Sequence, residues 1–201
     1  MSAPAPTPTS HRERVKAKRR EAIRRSGMRL FAENGYDGTT IGEIAAAADV
    51  APRTVQQYFP SKHDIALSLA NEVAGRFTAV LQSGPQAGFL DAVDVWLRGE
   101  AELHDPDLMA LNQAMYEANP GLRALGSSQL TDVVQAATSA MTAETGLPAD
   151  DPLYAIVAAA LGAALAQYIG TAHLYKDDPD LHAHVIACLR ALLDTAKATN
   201  T

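Results

Sequence analysis

The chain has 201 residues, enough for one large domain or two small ones, and 47% of them are hydrophobic, an ordinary globular share. Its net charge of −6 is unevenly divided: residues 1–62 carry +5 and residues 63–201 carry −11. That asymmetry points to a polyanion-binding end joined to an acidic end with another task, and the one cysteine, Cys188, excludes an internal disulfide framework.

The N-terminus, MSAPAPTPTSHRER, lacks the apolar segment of a secretory signal and reads as a disordered tail over residues 1–11. No stretch reads as the roughly 18 apolar residues of a membrane span, so a cytoplasmic chain with no membrane part is expected. Period-two alternation is absent over useful lengths and helical periodicity runs nearly throughout, so the fold class is all-α, with about nine helices. The first helix is expected over 12–34, with Ile23, Gly27, Leu30, Phe31 and Asn34 on one stripe, Arg24 and Arg25 on the polar side, and Gly35 as its stop. Thr40 caps a short second helix over 41–48. A third follows over 52–59, and Pro60 ends it. Ser61 caps a fourth over 62–81. After the break QSGPQAG come helices over 86–103, 108–118, 122–145, 153–175 and 181–198, separated by HDPD, NPG, GLPADDP and KDDPD.

The third helix is short and two-faced. With Val55 taken as inward and about 100° per residue, Phe59 falls beside it, Arg53 and Gln57 point nearly the opposite way, and Thr54 and Gln56 lie on the flanks. In a helix-turn-helix the second helix enters the major groove. There Arg suits guanine and Gln suits adenine, because each forms two hydrogen bonds to the base edge.

The segment from Ala22 to Leu67 resembles the tetracycline-repressor (TetR) family of bacterial transcription regulators. The matching stretches are RLFAENGYDGTTIGEIAAAADV and PRTVQQYFPSKHDIALSLA. The resemblance implies phosphate contacts from Thr40, Thr54, Tyr58 and Lys62, with Arg53, Gln56 and Gln57 facing the groove. Two departures stand out: Asp49 replaces a usual turn glycine, and Ala51 sits where a capping Ser or Thr is common. The implied architecture is a helix-turn-helix domain over 12–62 and a helical ligand-binding and dimerisation domain over 63–201. The fifth to eighth helices would enclose a small-molecule pocket, with Trp96, Met109, Asn112, Met115, Tyr116, Gln167 and Tyr168 as candidate lining. The last two helices would form a homodimer, helped by the small residues of AAALGAALA. The implied protein is a repressor released from a palindromic double-stranded DNA operator by a small-molecule effector.

No glycine-rich phosphate loop, nucleophile elbow or paired-carboxylate signature appears. His184 with Cys188, and Glu100 with His104, have helical i,i+4 spacing but bring no further ligands, so neither a metal nor a cofactor is expected. Cys188 reads as a small core or interface residue. Two other readings stay open on the residues. One is a small all-α enzyme or ligand-sequestering protein containing a helix-turn-helix shape. The other is a DNA-binding protein whose second domain binds a protein.

Overall fold

The computed structural model describes residues 10–83, 88–122, 131–171 and 178–199. Among these residues there is no strand, and ten helices have both ends described: α1 (His11–Asn34), α2 (Ile41–Ala47), α3 (Pro52–Tyr58), α4 (Lys62–Ala66), α5 (Ser68–Gln82), α6 (Phe89–Glu102), α7 (Pro106–Ala118), α8 (Thr131–Thr145), α9 (Pro152–Thr171) and α10 (Pro179–Thr199); residues 120–122 are helical as well. The expected fourth helix is two: the chain breaks at Leu67, whose N–H bonds the carbonyls of His63 and Ile65. Ser68 adds a hydroxyl bond to the Ile65 carbonyl. The tail expected over 1–11 ends earlier, because Ser10 caps α1 and His11 opens it; residues 1–9 lie outside the described residues. So do 123–130, on which most of the first two turns of the expected 122–145 helix fall.

By packing, the chain forms two compact units: one runs to Leu69 and takes in Asp107–Gly126, the other holds Ala70–Pro106 and Ser127–Thr201. The sequence division at 62/63 differs from this in two ways. Helix α4 packs on α1, and α7 joins the first unit.

In the first unit, α1 buries Ile23, Met28 and Phe31, α2 buries Ile44 and Ala45, α3 buries Val55, and Phe59, Ile65, Ala66 and Leu67 complete the core. Gly27 is required where α1 meets α4: a Cβ there would lie 2.6 Å from Ile65 Cγ2. Arg24 is a correction to the sequence reading. It is buried, its guanidinium 3.2 Å from Glu21. Arg20 also turns inward, over the Phe59 ring at 4.6 Å.

The second unit is apolar. Phe77, Leu90, Val93, Trp96, Leu97, Met141, Val157, Leu161, Leu189 and Leu193 belong to one core cluster. Helix α9 buries Tyr154, Val157 and Leu161 at i, i+3, i+7, but its other face is apolar as well, with Ile156 66% exposed. For that reason Pro152–Ile169 is long and apolar enough, at a mean hydropathy of 1.6, to pass a test for a membrane span, contrary to the sequence expectation. In this fold one stripe of that helix packs against other helices of its own unit.

Candidate nucleic-acid interface

The second and third helices are held at a fixed angle by their own termini. Thr40 accepts from the Glu43 N–H at 3.2 Å, and the Glu43 carboxylate accepts from the Thr40 N–H at 2.8 Å, a reciprocal cap. Those bonds from the Thr40 hydroxyl and amide hold the Glu43 carboxyl below its usual range. At the other end of α2, Asp49 sits at φ 52, where the sequence suggested a left-handed residue. The Val50 N–H reaches back to Ala45 O at 2.9 Å and the Asp49 N–H to Ala46 O at 3.2 Å, which ends the helix in the usual six-to-one fashion. Ala51 offers no side-chain cap to α3, and Pro52 at the first turn supplies the fixed φ instead.

On α3 the two faces separate as the periodicity indicated. Val55 and Phe59 are fully buried against the core, whereas Arg53, Gln56 and Gln57 are exposed and Thr54 and Tyr58 are half-buried. One guanidinium and two carboxamides therefore stand on one solvent face of a helix anchored by two apolar side chains. Such fork-shaped donors and acceptors on a helix are the groups that base edges in a major groove can pair with.

The expected phosphate contacts are in a different state. The Thr40 hydroxyl donates to Glu43 Oε2 at 2.8 Å, so its proton is already engaged. Lys62 Nζ donates to Tyr36 O and Thr39 O, both at 2.7 Å, and lies 4.6 Å from the Tyr36 ring centroid. Two of its three donors thus tie the start of α4 to the turn before α2. That turn has two more anchors. Thr39 Oγ1 donates to Gly35 O at 2.8 Å and contacts Leu30 O at 3.2 Å. Asn119, just past α7, accepts from the Tyr36 N–H at 2.7 Å and donates to Phe31 O and Met115 O, each at 2.8 Å.

The sequence reading used Asn119 only as part of a helix break. Its partners Phe31 and Tyr36 lie more than 80 residues away, so no local pattern points to it. The caps at Ser10, Thr40 and Ser61 carry a local signature, Ser or Thr followed three residues later by Glu or Asp.

Residues 23–69 match the sequence model of the N-terminal region of bacterial regulatory proteins of the tetR family. Over that segment the chain carries a tetR-family DNA-binding region. It is 28% identical over 190 residues to the HTH-type transcriptional regulator TcmR of Streptomyces glaucescens, covering 90% of this chain and 84% of that one. It is 40% identical over 52 residues to the fatty acid metabolism regulator protein of Bacillus subtilis (strain 168), covering 26% and 27% of the two chains. The fold is similar to that of the fatty acid degradation regulator FadR from Bacillus halodurans, with a TM-score of 0.54 at 20% identity over 87% of this chain and 94% of that one. With this region the protein is a DNA-binding transcriptional regulator and not an enzyme.

The expected ligand residues of this regulator fall in both units. Trp96, Gln167 and Tyr168 belong to the second unit; Met109, Asn112, Met115 and Tyr116 belong to the first. Met115 is wholly buried, Met109, Asn112 and Tyr116 are half-buried, and Gln167 is exposed. Trp96 packs on Phe77 at 4.6 Å between ring centroids. Trp96 Nε1 and Asn112 Oδ1 are both buried without a hydrogen-bond partner. Tyr168 is engaged within the protein: its hydroxyl is 3.1 Å from His182 Nδ1, and His182 Nε2 meets Asp94 at 2.5 Å. Cys188, expected in a core or an interface, is exposed on α10 in the single chain.

Proposed function

We propose that this regulator is a cytoplasmic homodimeric repressor. Two copies of α3 occupy successive major grooves of a palindromic operator, and a small-molecule effector bound in the helical part lowers operator affinity. The observation that carries the DNA reading is the division of α3 into a buried face, Val55 and Phe59, and an exposed face bearing Arg53, Gln56 and Gln57. Thr54 and Tyr58 on the flanks are assigned to phosphate. Thr40 and Lys62 contribute through their remaining bonding capacity while they shape the turn.

Dimerisation is assigned to α9 and α10. Ile156, Ala159, Ala160 and Ala163 on α9, with Ala187, Cys188 and Ala191 on α10, are exposed, and such small apolar faces permit close helix packing. The dimer sets the distance between the two α3 helices, which must match the roughly 34 Å repeat of the duplex. An effector acts by preferring a state in which that spacing differs.

The test is operator binding by fluorescence anisotropy with Arg53→Ala and Gln57→Ala. Each should lose about 1–3 kcal/mol on the operator and relax preference at one base pair. Full retention of affinity and sequence preference in both variants would overturn the assignment of α3.

A further inference from the structure

A cavity of about 270 Å³ lies within the second unit, between α5, α6, α8 and α9. Its walls include Phe77, Phe89, Met141, Tyr154, Leu161 and Gly162, and among the described residues no charged side chain lines it. None of the ligand residues expected from the sequence lines it either. The Phe77 and Phe89 rings meet edge to face at 71° with centroids 6.2 Å apart, which leaves an aromatic wall of mixed faces and edges. Glu144, one turn past Met141, does not offer a charge to the cavity. Its carboxylate accepts from the Phe89 N–H and from Lys197 Nζ, the latter at 2.8 Å.

These features select a ligand by polarity and size. An ionised group placed against such walls would lose its hydration with nothing to pair it, a cost of several kcal/mol. Apolar area gains about 25 cal/mol per Å² on entering. A cavity of roughly 150 Å³ lined by aliphatic and aromatic side chains holds benzene. This one has room for about two fused rings, with substituents at its open side, where Val134 is 58% exposed. Ring edges and faces on the wall, with the Met141 sulfur, favour an aromatic guest over a flexible chain. We infer that this cavity is the effector site and that it takes an uncharged aromatic molecule of about two fused rings. The inference rests on the effector-released reading given above.

The protein carries its own reporter. Trp96 is its only tryptophan and stacks on Phe77, a wall residue. Two probes differ by one charge: N-phenyl-1-naphthylamine, and the same molecule with an 8-sulfonate. With the full-length dimer, energy transfer from Trp96 to the neutral probe should saturate at one probe per chain. The sulfonate should bind at least about tenfold more weakly, the equivalent of 1.4 kcal/mol. Gly162 lines the cavity and a Cβ there meets nothing within 4 Å, so Gly162→Leu adds bulk at the cavity wall. That variant should lose neutral-probe affinity by about tenfold or more, and its dimer mass is measured alongside because Gly162 lies in the small-residue stretch assigned to the dimer.

Equal affinity for the two probes would overturn the assigned chemistry. Unchanged neutral-probe binding in both Gly162→Leu and Ala158→Phe would overturn the location. Loss of the dimer in Gly162→Leu, with probe binding unchanged, would make the opening an interface with a second copy and overturn it too. Operator affinity is measured in the same samples. Saturable, Gly162-dependent binding that leaves operator affinity unchanged would support the cavity and its ligand class while removing the effector role. Operator release that Gly162→Leu does not alter would do the reverse.

Discussion

The two units of this protein are specified by different means. The turn from Gly35 to Thr40 in the first unit is fixed by side-chain bonds to backbone groups, from Asn119, Lys62 and Thr39, at 2.7–3.2 Å. Each is directional, so each sets a position. The second unit is held mainly by apolar faces of α6, α8, α9 and α10. Apolar contact is non-directional and tolerates sliding and repacking. A helix that must enter a groove of fixed width needs the first kind of order, whereas a helical unit that must accommodate a ligand is served by the second. The difference ties the energetics of each unit to its task.

The contrast breaks most visibly at Asn119. Asn119→Ala leaves the Tyr36 N–H and the Phe31 carbonyl without their partner, and orphaned half-buried groups of this kind cost about 1–3 kcal/mol. Three bonds go at once, so the upper part of that range is expected in urea unfolding. Operator affinity should fall as well, because the turn leads directly into the Thr40 cap of α2. Asn119→Asp keeps an acceptor for Tyr36 but sets a carboxylate oxygen against the Phe31 and Met115 carbonyls, so its loss should be at least as large. If operator affinity is untouched in the alanine variant, the turn is not what positions the helix pair.

A matched pair of core substitutions sharpens the comparison. Gly27→Ala drives a methyl to 2.6 Å from Ile65 Cγ2. Overpacking costs about 1–3 kcal/mol, and the better helix propensity of alanine returns about 1, so a net loss of up to about 2 kcal/mol is expected. Leu161→Met in the second unit conserves volume in an adaptable apolar setting and should cost less than about 1.5 kcal/mol. Chemical denaturation of the two variants decides the matter. If the methionine costs as much as the alanine, the second unit is packed as specifically as the first.

The same physics sets what could be read from the sequence. The α3 faces, the αL turn at Asp49, the Thr40 and Ser61 caps and the all-α class are local consequences of residue type at fixed spacing, and periodicity finds them. Arg24 was misplaced because periodicity places a side chain by type, whereas its guanidinium enters the core beside Glu21. Asn119 and the carbonyl partners of Lys62 join segments distant in sequence, and no local pattern encodes such a bond. The cavity escaped for another reason. Phe77, Met141 and Leu161 look like any core residues, and only their failure to fill the space distinguishes them.

The second unit has directional ties too, among them Arg76 to Glu100 and Lys197 to Glu144, and another of them offers the smallest and most specific test. Asp94 on α6 is 3.1 Å from Arg98 Nε and 2.5 Å from His182 Nε2, and His182 in turn meets Tyr168, so the chain of bonds joins α6, α9 and α10. Burial raises the Asp94 pKa, but the bonds from Arg98 and His182 more than offset it, and the carboxyl is held below its usual range. A carboxyl whose pKa is lower in the folded chain than in the unfolded one stabilises the fold only while ionised. That contribution is complete above the ordinary value of about 3.9 and is lost as pH falls below it, through the depressed folded value. Asp94→Asn removes the ionisation. Thermal unfolding of both chains between pH 5 and pH 3 should therefore show the native chain losing its advantage over the variant as the pH drops below about 4. A stability difference that stays constant across that range would mean that the Asp94 charge contributes nothing to holding α6, α9 and α10 together.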